Sequence, residues 1–326
     1  MKRSEVIFVA VGLGLFAFVA SKIGWGSVVD QLSAAWPAVP ALVALSFLRL
    51  LLQTRSWLIA LRSEGITANF SELTGIRLAS QSMGYLSVLG PALSEPMKIS
   101  LLRSNFNASA TATLTDTGVY WFTSVLLGIV GCASAALVLA GRQNALALLA
   151  ICLLFALSLV LLVRQKALLV PVVCLLGDHA PSWLKKGAIL ETEIRSFRTR
   201  HPETVQAMTL IAITCQVLII IETVVVFSFL NLPTHISTVL GIEAAFRTVK
   251  MVGGWLPARI GTDESGAAAA FVAFGLTPAA GLVLALARRF RDLLWCACGL
   301  GWLAWRSRSN RRETQPHGEL LVCKQF

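Results

Sequence analysis

The sequence predicts an all-α integral membrane protein. Of its 326 residues, 56% are hydrophobic and only 14% are charged, and the mean hydropathy is +0.73. Soluble domains carry far more charge and less apolar sequence than this. The apolar residues form long runs, and many of the basic residues behind the net charge of +11 lie between and after those runs. We therefore predict about six full transmembrane helices together with two broken or re-entrant hairpins.

The predicted spans are the longest apolar stretches of the chain, residues 6–20, 37–61, 114–140, 144–163, 204–230 and 278–305. The first stretch also fits a signal peptide, with a passable cleavage site at Val19-Ala20-Ser21. Lys22 follows that position closely and favours an uncleaved signal-anchor helix. On this basis residues 1–305 form a single polytopic membrane domain, and residues 306–326 form a basic cytoplasmic tail.

The distribution of lysine and arginine predicts the orientation. The largest loop, residues 164–201, holds seven of these residues, and further basic residues lie at both ends of the chain. Cytoplasmic loops are enriched in Lys and Arg, so we expect this loop and both termini in the cytoplasm. The span count agrees if the two hairpins enter from opposite sides. The predicted location is the cytoplasmic (inner) cell membrane.

The sequence carries no motif of a nucleotide, metal or nucleophile site. It has no G-x4-G-K-[ST] and no H-E-x-x-H, and its cysteines and four histidines show no metal-ligand spacing. The basic residues are not interleaved with aromatic residues as in nucleic-acid-binding surfaces. We therefore expect no cofactor, no metal, no nucleic-acid partner and no enzymatic activity.

Two apolar segments, residues 71–103 and 236–295, are interrupted and charged. Proline removes a backbone donor and glycine loosens a helical turn, so neither segment can be one straight helix. Irregular backbone at membrane depth is tolerated where it is buried in protein or lines a wet cavity. The breaks are predicted at Gly90, Pro91, Gly253, Gly254, Pro257 and Gly261.

The two interrupted segments resemble one another weakly. Each has an arginine, then glycines and a proline, then a glutamate, and then an Ala-rich stretch that leads into a span; this matches Arg77 with Arg247 and Glu95 with Glu264. The order span, broken hairpin, span thus occurs twice, in residues 37–140 and 204–305. An inverted repeat of this kind is typical of transporters whose substrate lies at the repeat interface.

Short motifs in both interrupted segments resemble a known family. Residues 256–264, Leu-Pro-Ala-Arg-Ile-Gly-Thr-Asp-Glu, with Gly275 and Arg288 beyond them, resemble a C-terminal LP…G…E…G…R signature. Residues 91–98, with Leu102 and Arg103, resemble an N-terminal P…GE..R…L.R element. The family is the flippase-like transmembrane domain of lysylphosphatidylglycerol synthases, and nothing in the chain resembles the soluble synthase domain.

The chain departs from the family pattern at three places. Ser94 stands where a glycine is usual, Lys98 stands where an arginine is usual, and Asp116-Thr117 stands where an acidic residue and an arginine are common. One charge pair of the family is therefore expected to be altered here. The resemblance implies lipid handling without lipid synthesis by this chain.

Charged residues inside apolar sequence are the candidate site residues, because such charges usually face a cavity or one another. Guanidinium and ammonium groups suit a phosphate, and the carboxylates would neutralise them in the empty state. The alternatives are a structural bond between helices for the mid-span carboxylate, hairpin stapling for the others, and interfacial snorkelling for the basic residues. The predicted substrate-binding residues are Glu95, Lys98, Glu222, Arg247, Arg259, Glu264 and Arg288.

The predicted function is flippase-like translocation or binding of an anionic lipid or of a polyprenyl-phosphate or hopanoid-type lipid. The expected partners are membrane lipids and a separately encoded lipid-modifying enzyme. Two alternatives stay open. One is an intramembrane glycosyl- or phosphotransferase that uses Asp263 and Glu264, and the other is a non-transporting scaffold of a lipid or envelope biosynthesis complex.

Overall fold

The structure of the chain is a computed structural model, and it describes residues 25–87, 91–102, 106–138, 181–253, 259 and 261–313. These residues form helices and connecting turns, with no strand among them, which confirms the predicted all-α class. The predicted spans 6–20 and 144–163 lie outside the described residues, as do residues 164–180 of the basic loop.

The first described part of the chain contains α1 (Trp25–Ala35), a 3-10 turn (Trp36–Ala38), α2 (Val39–Ser63), α3 (Phe70–Leu86), α4 (Pro91–Leu102) and α5 (Phe106–Val138). The second contains α6 (Ser182–Arg200), α7 (Pro202–Phe229), α8 (Ile236–Val252), α9 (Thr262–Ala273) and α10 (Pro278–Glu313). Both interrupted segments are therefore pairs of helices, α3 with α4 and α8 with α9, as the glycine and proline positions predict.

Three stretches of the described residues are long and apolar enough to cross a membrane: Val29–Ser63, Asn107–Ala136 and Pro202–Phe229. The last of these, α7, exposes a stripe of Leu210, Ile213, Val217 and Ile221. Residues three and four apart share one helix face, so this stripe is a continuous apolar surface that suits lipid. The opposite face of α7 is buried and carries Gln216 and Glu222.

Two helix ends differ from the sequence-based prediction. Helix α5 begins at Phe106 rather than at residue 114, because its first turns carry small residues that bury well, including Ser109 and Thr111. Helix α10 continues beyond the predicted end of the last span to Glu313. Its extension is held by Arg306, which lies over the Trp302 ring and pairs with Glu72 of α3 at 2.8 Å. Hydropathy detects neither feature, since both depend on tertiary neighbours.

Helices α2 and α7 lie side by side in opposite directions. Leu42, near the start of α2, packs with Val226, near the end of α7. Leu58, near the other end of α2, packs in a second cluster with Met208, near the start of α7. These two apolar clusters close the helix assembly at both ends and leave the middle for polar residues.

The same arrangement of helices occurs twice. The lengths of α2 to α5 are 25, 17, 12 and 33 residues, and those of α7 to α10 are 28, 17, 12 and 36. The packing is reciprocal as well, because α3 packs against α10 and α8 packs against α5. We call α2–α5 the first half and α7–α10 the second half. Which way each half faces in a membrane stays a prediction.

Candidate functional site

A cavity of about 490 Å³ that is lined by many charged side chains lies between the two halves. It is lined by α2, α3, α4 and α5 from the first half and by α7, α8 and α10 from the second. Eight basic and four acidic side chains line it, among several aromatic residues. The basic residues are Arg49, Arg77, Lys98, Arg247, Lys250, Arg259, Arg288 and Arg291, and the acidic ones are Glu95, Glu222, Glu243 and Asp292.

In the second half, Arg288 of α10 joins two buried carboxylates. Its Nε donates to Glu222 Oε1 of α7 at 3.2 Å, and its Nη2 donates to Glu243 Oε1 of α8. Thr223 also donates to Glu243 and accepts from Arg288 Nη2 at 2.7 Å. The guanidinium lies over the Phe246 ring, with its central carbon 4.8 Å from the ring centroid. Three helices are thus joined by one charge network in which every acid has a basic partner.

Two further arginines complete this network. Arg291, one turn beyond Arg288, donates to Glu222 and also to Asp292, where its Nη2 lies 2.8 Å from Oδ1. Arg49 of α2 lies 3.8 Å from Glu222 Oε2, which places this deep arginine in the cavity wall rather than at a helix end. Glu222 is therefore surrounded by cations, as buried carboxylates require.

The first half contains a simpler group at the corresponding place. Arg77 of α3 donates to Asp116 of α5 at 3.2 Å and to the backbone carbonyl of Gln53 at 2.5 Å. Ser56 of α2 donates to the other oxygen of Asp116 at 2.5 Å. Asp116, one of the positions that depart from the family pattern, thus has a partner of its own within this half.

These two groups occupy equivalent positions, and at two of the three positions the charge has the opposite sign. Ser56 and Arg77 lie 21 residues apart, as do Glu222 and Glu243, and Asp116 and Arg288 are each the eleventh residue of their helix. The equivalent of Arg77 is therefore Glu243. The sequence-based match of Arg77 with Arg247 was wrong by four residues, one helical turn, because it matched residue types rather than helix positions.

Helix α4 contributes a third charge pair. Lys98 Nζ donates to Glu95 Oε1 at 2.7 Å, and Thr117 Oγ1 of α5 donates to Glu95 Oε2 at 2.9 Å. Pro91 is the first residue of α4, where a missing N–H is no loss. Gly90 lies outside the described residues.

The break between α8 and α9 is only partly described, since Gly254 and Pro257 lie outside the described residues. Gly253 caps α8 by donating to the Val249 carbonyl, and Gly261 starts α9 at a φ of 83°, which favours glycine. Arg259 also has a positive φ, 50°. Its side chain reaches Asp263 at 3.4 Å and Asp292 at 3.9 Å and stacks on the Tyr85 ring.

The structure brings six of the seven predicted site residues to the cavity: Glu95, Lys98, Glu222, Arg247, Arg259 and Arg288. Glu264 is not among the lining residues. It is fully buried, accepts from the Gly261 backbone N–H at 2.9 Å and pairs with Arg289 at 2.6 Å. Glu264 therefore stabilises the start of α9. This is the structural role that the sequence analysis gave as the alternative to substrate binding. Asp263 and Glu264 contact different arginines, and no cluster of three potential metal ligands occurs among the described residues.

Two basic residues of the cavity differ from the rest. Arg247 donates to Ser124 of α5 and, at 2.8 Å, to the Gln216 side-chain oxygen of α7, but it pairs with no carboxylate within the described part of the chain. Its buried Nε has no hydrogen-bond partner there. Lys250, one turn further along α8, makes neither a hydrogen bond nor an ion pair with any described residue.

Sequence reasoning also considered Lys250 as a phosphate ligand and Arg49 as a cavity residue, and both line the cavity. It did not select four further charged lining residues: Arg77, Glu243, Arg291 and Asp292. These residues are charges within apolar sequence, which is the same signal that identified the predicted site residues. Glu243 had a further signal, because it precedes Arg247 by four residues and so shares a helix face with it. Gln216, Tyr85 and Tyr120 carry no such signal, and their contribution depends on how the helices pack.

A family model described as "Lysylphosphatidylglycerol synthase TM region" matches residues 6–299. Neither the curated proteins nor the solved structures include a match to the chain. The matched range covers nearly the whole sequence, including the first half, the second half as far as residue 299 within α10, and every residue that lines the cavity.

Proposed function

The chain belongs to the lysylphosphatidylglycerol synthase TM region family, and from this premise we propose that it binds an anionic lipid and moves it across the cytoplasmic membrane. The headgroup enters the cavity between the halves while the acyl or prenyl tails stay in the bilayer. The observation that carries the proposal is the composition of the cavity wall, where eight basic side chains outnumber four acidic ones. An excess of buried positive charge is costly unless an anion enters.

The twofold arrangement supports transport rather than binding alone. Transporters built from repeats hold their substrate at the repeat interface and alternate by moving one half against the other. Here the cavity lies at that interface, and α2 and α7 cross it in opposite directions. The proposal includes no chemical step and no nucleotide, so movement follows a gradient or requires none.

The proposal is tested with pure protein in liposomes that contain a fluorescent lipid. Quenching from outside reports how fast the lipid moves between leaflets. We expect faster movement of an anionic lipid such as phosphatidylglycerol than of phosphatidylcholine, relative to protein-free liposomes. The Arg247→Gln variant is expected to slow this movement. Arg306→Gln is the matched control, since it also removes one arginine but lies outside the cavity.

Two results of the liposome assay would contradict the proposed function. If folded wild-type protein moves no lipid faster than empty liposomes, transport is excluded under these conditions and a scaffold role becomes the better explanation. If it moves phosphatidylcholine as fast as anionic lipids, the basic residues of the cavity do not select the headgroup.

A further inference from the structure

The charges of the cavity are balanced except at two residues. Six of its eight basic residues contact carboxylates, and those carboxylates are also six in number when partners just behind the wall are included. The paired basic residues are Arg49, Arg77, Lys98, Arg259, Arg288 and Arg291. The carboxylates are Glu95, Asp116, Glu222, Glu243, Asp263 and Asp292. The unpaired positive charges are those of Arg247 and Lys250.

Arg247 and Lys250 lie on the same face of α8, because residues three apart on a helix are neighbours. Arg288 repels both of them, and neither makes an ion pair with a described carboxylate. The acidic groups that attract them, Glu243 for Arg247 and both Asp263 and Asp292 for Lys250, lie beyond ion-pair distance. The neighbouring residues 254–258 and 260, which the structure does not describe, include no acidic residue in the sequence. An anion between these side chains would relieve the repulsion and supply a partner for the buried Nε of Arg247.

The excess belongs to the second half alone. The equivalents of Arg247 and Lys250 on α3 are Gln81 and Gly84, and both also line the cavity. The α8 wall therefore carries two positive charges without an ion pair, where α3 has uncharged residues at the equivalent positions.

We propose that this α8 pair binds the phosphate end of a lipid that carries two negative charges, either a terminal phosphate monoester or a diphosphate linkage. The inference rests on the proposed function and deepens it, since it assigns the headgroup class. A phosphodiester lipid such as phosphatidylglycerol carries one negative charge and would leave one positive charge in the cavity uncompensated. A dianionic phosphate neutralises both, and its oxygens can accept from the guanidinium and the ammonium together.

The test is equilibrium binding in detergent, which does not depend on transport. Tryptophan fluorescence is a suitable readout, because Trp121 and Trp295 line the cavity. Short-chain phosphatidic acid is compared with short-chain phosphatidylglycerol at pH 7, above the second phosphate pKa of about 6. Each charged hydrogen bond adds enough affinity for roughly a tenfold preference for phosphatidic acid.

Two variants locate the preference. Arg247→Gln gives α8 the side chain that α3 has at the equivalent position, and Lys250→Gln removes a residue with no described bond. Each is expected to reduce phosphatidic acid binding more than phosphatidylglycerol binding, and the double variant should show no preference. If Arg247→Gln does not fold, Lys250→Gln still tests whether the α8 pair causes the preference for phosphatidic acid. Arg306→Gln, away from the cavity, should keep the wild-type preference.

The outcomes separate this inference from the proposed function. Equal binding of the two lipids by folded wild-type protein would overturn the inference, even if lipid movement is fast. A clear preference without lipid movement would support the inference and count against transport. Glycerol 3-phosphate, which has the same charged group without tails, distinguishes the source of the ligand. Equally tight binding of that compound would contradict a lipid ligand.

Discussion

The two halves place buried polar groups at the same three helix positions but distribute the charge differently. The first half has Ser56, Arg77 and Asp116, which need no partner from elsewhere to be neutral. The second half has two carboxylates and one arginine at those positions, and it recruits Arg291 and Arg49 to balance them. The repeated feature is therefore the helix geometry, and the sign of each charge can change if its local partner changes too.

This difference has a consequence for stability. The first-half group links α2, α3 and α5, all within that half. The second-half network also draws on Arg49 of α2, so it connects the halves across the cavity. A change in the second network is therefore expected to disturb both halves, whereas a change in the first is expected to stay within its own half.

Among changes that neutralise a single charge, the largest expected effect is that of Arg288→Gln. It leaves Glu243 without its arginine and removes one partner of Glu222, and the loss of one member of a buried pair typically costs about 3–5 kcal/mol. Arg77→Gln should cost less, because it takes an arginine from one carboxylate, Asp116, and not from two. Thermal unfolding of both variants in detergent measures the order. Equal or greater damage by Arg77→Gln would contradict the contrast between a local group and a connecting network.

Charge exchange in the first half sharpens the comparison. Arg77→Glu combined with Asp116→Arg would give the first half the charge order of the second. Either single change should be severe, since it places like charges together, and the double change should recover part of the stability. Pairs in contact typically show coupling energies of about 0.5–3 kcal/mol, so a double-mutant cycle is sensitive enough. A double variant that is as unstable as the sum of its single changes would show that these positions are not interchangeable in sign.

The smallest expected effects concern the reciprocal helix contacts. A methyl group added at Gly131 of α5 would meet the backbone of Leu240, and one added at Gly299 of α10 would meet the backbone of Leu78. Overpacking of this kind typically costs about 1–3 kcal/mol, so Gly131→Ala and Gly299→Ala should each lower the midpoint of thermal unfolding.

Each of these helices supplies its own control for that experiment. Gly118 on α5 and Gly301 on α10 have open space around an added methyl group. Alanine there should be neutral or stabilising by up to about 1 kcal/mol, since it is the better helix former. If only one of the two tight glycines is sensitive, the α5–α8 and α3–α10 contacts are not equivalent in energy.

Much of the site was within reach of the sequence because charge in apolar sequence is rare and therefore informative. That signal identified Glu222, Arg247 and Arg288, and all three line the cavity. It also selected Glu264, which does not line the cavity but stabilises the start of α9. The signal reports that a charge is buried, and it does not report whether the charge faces a cavity or a neighbouring backbone.

The equivalence of positions in the two halves, in contrast, could not be read from the sequence. Matching by residue type aligned Arg77 with Arg247, whereas helix positions align Arg77 with Glu243. Residue type fails here because a buried pair constrains the sum of its two charges and leaves the sign of each free. The spacing between equivalent positions is the property that the two halves share.

The sequence by itself determined the class of the molecule, its breaks and the chemistry available to it. Long apolar runs require helices in a membrane, since every backbone group must be satisfied internally, and glycine and proline set where those helices can stop. Only the tertiary structure decided which charges are already neutralised. That outcome depends on which helices meet, so Arg288 is joined to two carboxylates while Arg247 and Lys250 remain unpaired in the described cavity wall.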